Sequence, residues 1–485
     1  MTLVAGVDCS TQATKVLIVD SESGSVVASG RAAHEVTGVG GARETDPEQW
    51  WDALADALAQ TGRSGEVGAI AIGGQQHGLV VLDDKGSPLR PALLWNDVRA
   101  AADASSLIGA FGGPEAWAER IGLVPVASYT VSKWAWLRKQ EPEVAENVAA
   151  VLLPHDFLNL RLTGARNTDR GDASGTGWWS TATEDYAADV LGLREVDLDV
   201  GTLPNVLRPG EPAGEVTEEA AKQTGLRAGT LVAAGTGDNM AAALGLGLEA
   251  GTPVISLGTS GTAYSMSTVR AADPSGTVAS FADATGNFLP LAATLNCTLA
   301  VDRIAEWLGI DRDDAADQTD VVVFPYLDGE RTPNLPDASG VMTGLRHGTD
   351  PREILLAAYQ GAVLGLIEAL EMIDGHSSGI NPDAALILIG GGAKGRTWRR
   401  VVGQLSGRAL EIPEAVELVA IGAAAQASSL IDKAPAEQVA RSWNTRQGTA
   451  IDHVDHDLDT VDRLRRARRS IFEVQSSAGS GRSVG

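Results

Sequence analysis

The sequence predicts an α/β protein made of two domains that begin with the same motif. Residues 3–20 place a small polar turn, Asp8-Cys9-Ser10-Thr11-Gln12, between two apolar runs, which predicts a strand, a hairpin turn and a second strand. Residues 254–265 repeat this order around Gly258-Thr259-Ser260-Gly261, but without the acid. A motif that recurs halfway along 485 residues indicates duplication, so we predict domains at 1–249 and 250–485.

The overall composition is that of an ordinary soluble globular protein. Hydrophobic residues make up 44% and charged residues 21% of the chain, which leaves enough apolar material for two or three cores. The net charge of -25 argues against a general affinity for nucleic acid or for an anionic membrane. It does not exclude a phosphate-bearing substrate, because glycine turns, helix N-termini and Mg²⁺ attract phosphate locally.

The cysteine count and the N-terminus indicate a cytoplasmic protein. Cys9 and Cys297 give no disulfide framework, which fits a reducing compartment. The chain enters its first predicted strand directly, without a charged region followed by an apolar signal segment. We also expect no apolar run long enough to span a bilayer.

The acid in the first hairpin is a candidate metal ligand. Asp8 ends the first predicted strand and is followed by small hydroxyl residues, an arrangement in which a carboxylate faces a cation while hydroxyls and backbone N–H groups approach phosphate. Many hairpins carry Asp and Ser for turn geometry alone, so the structural alternative stays open at this point. Lys15 is equally consistent with a phosphate contact and with a plain strand position.

A second candidate acid, Asp238, lies in the turn Gly235-Thr236-Gly237-Asp238-Asn239. The apolar residues 231–234 predict a buried strand before this turn, and a helix is predicted from Met240. Open α/β sheets bind ligands at such strand ends, which favours a general base in a cleft. The alternative is an Asp that only caps the following helix.

Two further turns carry candidate sugar ligands. Residues 69–73 predict a buried strand that runs into Gln75-Gln76-His77-Gly78, and Leu94-Trp95-Asn96-Asp97 follows another apolar run. A histidine in a glycine-flanked turn after a buried strand is a better ligand candidate than one on an apolar helix face. The polar, glycine-rich residues 166–177 predict a loop near a site.

In the second half, a glycine-rich turn indicates a nucleotide site. Residues 385–389 predict a strand that leads into Gly390-Gly391-Gly392-Ala393-Lys394-Gly395 and then a helix over residues 397–405. Such a turn lets a nucleotide lie against the backbone and a helix N-terminus, although the Gly-Lys-Ser/Thr end of a Walker loop is missing. The Ser/Gly-rich tail from about residue 476 predicts disorder.

Together these residues resemble the FGGY family of carbohydrate kinases, from about residue 3 to about residue 430. Two spaced patterns carry the resemblance, Ser128-x-Thr130-x-x-Lys133-Trp134-x-Trp136-Leu137 and Gly340-x-Met342-x-Gly344-Leu345 with its continuation to Gln360. The resemblance implies two actin/Hsp70/hexokinase-like (RNase H-like) domains with a cleft between them. It also implies ATP and Mg²⁺ as cofactors and domain closure that assembles the site.

The resemblance implies a role for each candidate residue. Asp238 would take the proton from the sugar hydroxyl, and Asp8 would hold Mg²⁺ and serve with it in catalysis. The sugar would be bound in the N-terminal domain by Gln76, His77, Trp95, Asp238 and Asn239. The nucleotide would be bound by Thr11 and, in the C-terminal domain, by Gly258, Thr259, Ser260, Gly261, Gly391, Gly392 and Ala393.

Within the family, the turns at Gln76 and Trp95 are most similar to those of members that phosphorylate D-xylulose on its 5-hydroxyl. Two positions depart from the usual pattern, because Ser10 replaces a glycine and Gln76 replaces a methionine. The alternatives are a kinase for another ketose, a polyol or gluconate, and a non-catalytic ATP-binding sugar sensor. Partners are expected to be the sugar and ATP, not nucleic acid or a membrane, and similar proteins are commonly homodimers.

Overall fold

The structure of the chain is a computed structural model that describes residues 2–479, with side chains to residue 472. It divides into two units. The first contains Met1–Glu249, Met266–Leu289 and Ala415–Arg446, and the second contains Ala250–Ser265, Pro290–Glu414 and Gln447–Gly485. The predicted division at residue 249 places 266–289 and 415–446 in the second domain, so the two divisions differ in these segments. The disorder predicted from about residue 476 falls mainly on 480–485, which lie outside the described residues.

The first unit is built on a seven-stranded sheet that contains the predicted opening hairpin. Leu3–Cys9 is buried along its whole length, as expected for a central strand, and pairs antiparallel with Ala13–Asp20 and parallel with Val67–Gly74. The sheet order is Pro212–Glu215, Leu231–Ala233, Val67–Gly74, Leu3–Cys9, Ala13–Asp20 and Val26–Ala33, and Thr236–Gly237 pairs with the end of Val67–Gly74.

The rest of the first unit consists of helices, single turns and short strands. The main helices of the first unit are Pro47–Thr61, Ala101–Ala110, Pro114–Arg120, Thr130–Gln140, Pro154–Thr163, Glu218–Thr224, Asp238–Gly245, Leu418–Asp432 and Ala436–Ser442. Single turns are Ser64–Glu66, Pro142–Ala145, Arg170–Ala173, Ala188–Leu191 and Val200–Thr202. Short strands are Glu44–Thr45, Val80–Leu82, Ala92–Leu93, Ala150–Leu152, Asn167–Asp169, Trp179–Ser180, Asp185–Tyr186, Asn205–Leu207 and Ala279–Ala282.

The helix Leu418–Asp432 belongs to the first unit because glycines let it lie directly on that unit's sheet and on a neighbouring helix. A Cβ added to Gly6 would stand 1.8 Å from the carbonyl oxygen of Ala420, and one added to Gly422 would stand 1.8 Å from that of Ala241. Backbone contacts this close require glycine. The predicted boundary could not include this packing, since Gly6 and Ala420 are more than 400 positions apart.

The second unit repeats the hairpin-and-sheet plan. Pro253–Leu257 pairs antiparallel with Gly261–Ser265 and parallel with Leu386–Ile389. From Phe288–Thr294 the order continues through Gly261–Ser265, Pro253–Leu257, Leu386–Ile389, Leu410–Pro413 and Gly448–Ile451. Its helices are Thr298–Leu308, Pro351–His376, Arg396–Ser406 and Leu458–Gly479, with single turns at Arg312–Asp314 and Gly391–Lys394 and a separate strand pair, Val322–Phe324 with Val341–Thr343.

One described helix, Pro351–His376, is long and apolar enough by length and composition to cross a membrane, so the expectation that no such run exists is wrong. Its most apolar window is 83% buried inside the second unit, which is the environment of a core helix. Asp350 and Glu353 form a capping box at its start, which explains where the helix begins.

Candidate active site

Asp8, near the end of its strand, forms an ion pair with Lys15. The side chain is buried, and its Oδ2 accepts a hydrogen bond from Lys15 Nζ at 3.2 Å. The same ammonium donates to Glu417 Oε2 at 2.7 Å. Burial raises the pKa of Asp8, and the Lys15 ammonium opposes that rise. The other oxygen, Oδ1, is buried and has no hydrogen-bond partner among the described residues.

Asp238 lies beside Asp8 at the same edge of the sheet. Gly73 pairs with Asp8 on one side and with Thr236 on the other, so both acids lie near the ends of strands that flank one residue. Burial, followed by the negative charges of Asp8 and Asp172, raises the pKa of Asp238 to about 7. Two acids placed so that one is hard to ionise are typical of sites that move protons.

The helix that carries Asp238 begins two residues earlier than predicted, as Asp238–Gly245. Gly237 occupies the cap position, so Asp238 is the first helical residue and does not cap the helix in the usual way. Its Oδ1 accepts hydrogen bonds from the backbone N–H and the side-chain Nδ2 of Asn239, at 2.7 and 2.9 Å. These two bonds fix one carboxylate oxygen, and the residue as a whole is partly exposed.

Gln76 is linked to Asp238 through Asn239. Asn239 Nδ2 donates to Gln76 Oε1 at 2.9 Å as well as to Asp238. Gln76 is only 4% exposed and lies close to Asp172, where burial raises the pKa of the acid and His155 and Gln76 oppose that rise. The amide therefore connects the candidate base to a buried group of charges behind it.

That buried group is the part of the site that sequence reasoning missed. His155 Nδ1 lies 2.8 Å from Asp172 Oδ2, and its Nε2 lies 3.2 Å from Asp156 Oδ1 and 3.8 Å from Asp169 Oδ1. Although burial works against it, these carboxylates raise the pKa of His155 and so favour the protonated ring. The signal available was the recurrence of Asp in Pro154-His155-Asp156 and Asp169-Arg170-Gly171-Asp172.

The prediction of a loop over residues 166–177 is wrong for most of its length. Asn167–Asp169 is a strand, Arg170–Ala173 is a helical turn, and residues 168–177 are buried. Asp169 accepts from the N–H groups of Gly171 and Asp172 and from Thr236 Oγ1. Because the polar groups satisfy one another, a polar segment can be buried here.

His77 has a left-handed backbone and a fixed ring. Its φ is 65°, and its Nδ1 lies 2.9 Å from the carbonyl oxygen of Gly175. A carbonyl only accepts, so Nδ1 carries the proton and Nε2 is an acceptor in the neutral imidazole. The ring stands edge-on to Tyr129 at 4.9 Å between centroids.

The remaining sugar and phosphate candidates of the first unit also lie together. Trp95 is 38% exposed, and its Nε1 donates to Thr11 Oγ1 at 3.0 Å. The indole thus joins the first hairpin to the turn after Ala92–Leu93. The neighbouring Asp97 is buried and accepts from Arg99 and from the backbone N–H of Arg43, so its role is structural.

In the second unit, both glycine turns lie at one edge of the sheet. They follow the parallel neighbours Pro253–Leu257 and Leu386–Ile389. Thr298 joins the first turn by donating its backbone N–H and its Oγ1 to the carbonyl oxygen of Gly258, at 3.1 and 2.8 Å. Thr259 is exposed at the tip of the hairpin.

The second turn exposes Gly390, Gly391 and Lys394 to solvent. Gly390 has φ 85° and lies against the backbone of Leu257, which only glycine permits. Gly391 is exposed, and a Cβ added there would meet nothing within 4 Å. Gly392 and Ala393 are buried, and Arg399 Nε donates to the Ala393 carbonyl oxygen at 2.6 Å.

Comparison with known proteins decides what this arrangement is. Residues 3–245 match the FGGY family of carbohydrate kinases, N-terminal domain, and residues 254–430 match the C-terminal domain of that family. The chain belongs to the FGGY family of carbohydrate kinases. The resemblance inferred from the two spaced motifs is confirmed, and ATP and a sugar are the substrates of this FGGY kinase.

Individual members of the family are closely similar to this FGGY kinase. The chain is 58% identical to a xylulose kinase of Streptomyces coelicolor and 56% identical to one of Streptomyces rubiginosus, in each case over 95% of both sequences. Among solved structures, it resembles the xylulose kinase from Bifidobacterium adolescentis with a TM-score of 0.85 and 34% identity, over 96% of this chain and 99% of that chain. The predicted two-domain α/β fold is therefore confirmed.

The acids of this FGGY kinase fit a magnesium ion of the kind that phosphoryl transfer uses. Mg²⁺ in kinases is held by one or two carboxylates together with phosphates and waters. Asp8 offers a buried carboxylate oxygen that lacks a hydrogen-bond partner among the described residues, which is a suitable ligand. Among the described residues, no group of three or more His, Cys, Asp and Glu side chains could hold a metal ion by itself. Substrate phosphates and waters would therefore supply the remaining ligands of the ion.

Proposed function

We propose that this FGGY kinase transfers the γ-phosphoryl group of ATP to the 5-hydroxyl of D-xylulose, giving D-xylulose 5-phosphate and ADP. The observation that carries the mechanism is the environment of Asp238. Its pKa of about 7 matches the operating pH of a general base, and Asn239 holds one of its oxygens in place. The substrate class is supported by the relatives, which are named xylulose kinases.

In the proposed reaction, Oδ2 of Asp238 takes the proton of the 5-hydroxyl of the sugar. At the same time, the oxygen of this hydroxyl attacks the γ-phosphorus of ATP. The bond between the γ-phosphorus and the β,γ-bridging oxygen breaks, and ADP leaves with that oxygen. Protein groups contribute mainly by positioning, because phosphoryl transfer needs little covalent help. Asn239 fixes the orientation of the carboxylate, and Gln76 fixes Asn239.

The proposed sugar contacts come from the turns of the first unit. His77 Nε2 would accept from a sugar hydroxyl, since its Nδ1–H is already donated to Gly175. Trp95 would provide a partly exposed wall, anchored by its bond to Thr11. Gln76 and Asn239 would offer amide groups to the remaining hydroxyls.

The proposed nucleotide contacts are backbone and hydroxyl groups. Thr11 and the hairpin residues Gly258, Thr259, Ser260 and Gly261 would bind phosphate oxygens. Gly391, Gly392 and Ala393 would lie against the nucleotide, with Gly391 the most open to it. Asp8 would hold Mg²⁺, which neutralises charge on the phosphates when bound. Sugar binding is thus assigned to the N-terminal domain and most nucleotide binding to the C-terminal domain.

A coupled assay of ADP release across pentuloses, polyols and gluconate tests this proposal. D-Xylulose is expected to give the highest kcat/KM by a wide margin. A higher value for ribulose, gluconate or glycerol would replace the substrate and keep the kinase. ADP release that no sugar stimulates would contradict the proposal and favour a sugar sensor with the same fold.

We also propose that the protein is cytoplasmic, does not bind nucleic acid or membranes, and forms a homodimer. Two buried free cysteines and the net charge of -25 support the first two statements. Light scattering of the purified protein would give the oligomeric state, and a monomer at micromolar concentration would contradict the dimer.

A further inference from the structure

The backbone carbonyl of His77 is held by two side chains that the proposed mechanism does not use. Thr130 Oγ1 and Lys133 Nζ both donate to this oxygen, each at 3.2 Å. Both donors come from the first two turns of the helix Thr130–Gln140, within the spaced pattern Ser128-x-Thr130-x-x-Lys133. Two residues of this family pattern therefore form hydrogen bonds with the turn that carries the candidate sugar ligand His77.

Placing a lysine at position 133 costs desolvation free energy. Its side chain is fully buried, and its Nζ also donates to the carbonyl oxygen of Ser128. Burial lowers the pKa of Lys133 to about 7, against the attraction of Asp97. An ammonium in such a site costs free energy unless its hydrogen bonds do something that an apolar side chain could not.

The same helix start also fixes the ring of His77. Tyr129 packs edge-on against the imidazole at 4.9 Å between centroids. The N–H of Val131 donates to the carbonyl oxygen of Thr176 at 2.8 Å, next to Gly175, whose carbonyl receives the His77 Nδ1–H. A Cβ on Gly175 would stand 2.6 Å from the His77 ring, so the ring fits tightly against this backbone.

The backbone of His77 needs this support. Its φ of 65° is left-handed, a conformation that a residue with a side chain adopts only when its surroundings impose it. Two hydrogen bonds to the carbonyl of the same residue set the direction of the peptide plane, and the peptide plane sets where the imidazole points.

We propose that Lys133, assisted by Thr130, is a positioning residue that orients His77 for sugar binding. Its effect on activity passes through the imidazole: without the ammonium, the turn relaxes and Nε2 no longer meets the sugar hydroxyl. This inference rests on the proposed role of His77 as a sugar ligand. A purely structural lysine would instead support the helix start and affect every kinetic parameter alike.

A double-mutant cycle separates these two roles. Lys133→Met keeps the length of the side chain and removes its charge and donors, and it is made in the natural chain and in a His77→Ala chain. Lys139→Met is the matched control, because Lys139 lies on the same helix, is largely exposed and makes an ion pair with Asp103 at 3.2 Å.

The single variant Lys133→Met is expected to raise KM for D-xylulose about tenfold and to leave KM for ATP within about twofold. In the His77→Ala chain, Lys133→Met is expected to change kcat/KM for the sugar by less than about twofold, because the group through which it acts is gone. Lys139→Met is expected to match the natural protein in all three constants.

Additive effects of Lys133→Met and His77→Ala, or equal rises in both KM values, would overturn the inference. If Lys133→Met does not fold, Thr130→Val takes its place in the cycle, since it removes one donor to the same carbonyl and keeps the shape. A natural protein without sugar-stimulated ADP release would instead overturn the proposed function, so the two failures are distinguishable.

Discussion

The two hairpins share a backbone plan but differ in charge. Leu3–Cys9 and Pro253–Leu257 each turn back into an antiparallel partner and pair in parallel with a strand that ends in a glycine turn. Asp8 and Ser256 are each the second-last residue of their strand. Asp8 is buried with Lys15 and Glu417 around it, whereas Ser256 is neutral and faces Thr262 across its hairpin.

In the proposed mechanism, this difference lets one fold plan serve two kinds of chemistry. A hairpin without charge can still bind phosphate, because small hydroxyls and backbone N–H groups are sufficient. Holding a cation and moving a proton requires carboxylates whose ionisation the surroundings control. The first unit supplies these in Asp8 and Asp238, whose pKa values are both raised by burial.

The largest effect is expected from Asp238, the candidate general base of the first unit. Asp238→Asn should lower kcat by roughly two to four orders of magnitude, since the base is lost. The melting temperature should not fall, because burial already disfavours the charged form. Steady-state kinetics and thermal unfolding would show this, with the exposed Asp56→Asn as a control that retains full activity. Near-natural turnover would remove Asp238 from the mechanism.

A matched pair of substitutions tests the comparison of the hairpins directly. Asp8→Asn should lower kcat about 10- to 100-fold and raise the Mg²⁺ concentration needed for half-maximal activity, because a metal ligand is lost. Ser256→Ala, at the matching position, should change kcat by less than about threefold. Titration of activity with MgCl₂ measures both effects. Equal losses in the two variants would mean that the hairpins do not differ in function.

The glycine turn of the second unit gives the next smaller effect. Gly391→Val should raise KM for ATP about tenfold without loss of stability, because a Cβ added there meets nothing within 4 Å and the side chain enters space assigned to the nucleotide. Gly348→Val is the matched control, since a Cβ there also meets nothing within 4 Å. KM for D-xylulose should stay unchanged in both variants. A rise in the sugar KM instead would place Gly391 in the sugar site.

The smallest effect is expected from Glu417, which lies just before the helix Leu418–Asp432 and forms an ion pair with Lys15 of the first hairpin. Glu417→Gln leaves Lys15 with one carboxylate, so the ammonium neutralises Asp8 more strongly and competes with the cation. Because the ion pair is partly exposed, kcat should fall by less than about threefold at saturating Mg²⁺. A loss as large as that of Asp8→Asn would show that Glu417 itself binds the metal or a substrate.

Local features of the fold could be predicted from the sequence. The apolar runs around Asp8 gave the first hairpin, and its recurrence at 254–265 gave the second. The helix predicted over 397–405 is Arg396–Ser406, and the strand predicted over 385–389 is Leu386–Ile389. These elements have strong apolar periodicity or glycine turns at their ends, and both signals are local.

Long-range partners could not be predicted. Lys15 and Glu417 are 402 residues apart, and no periodicity connects them. The buried group around His155 lies in polar segments, which indicated a loop because composition does not show that polar groups satisfy one another. Gln76 departs from the expected methionine, and only its contact with Asn239 suggests why an amide is useful there.

The most direct test of the central claim is the rate of phosphoryl transfer in a single turnover, measured against pH for the natural protein and Asp238→Asn. A base must be ionised, so with a pKa of about 7 the natural rate should rise about tenfold per pH unit below 7 and level off above it. The variant should show a low rate that no longer follows this ionisation. A variant that keeps the natural pH profile at a comparable rate would contradict the assignment of Asp238 as the base.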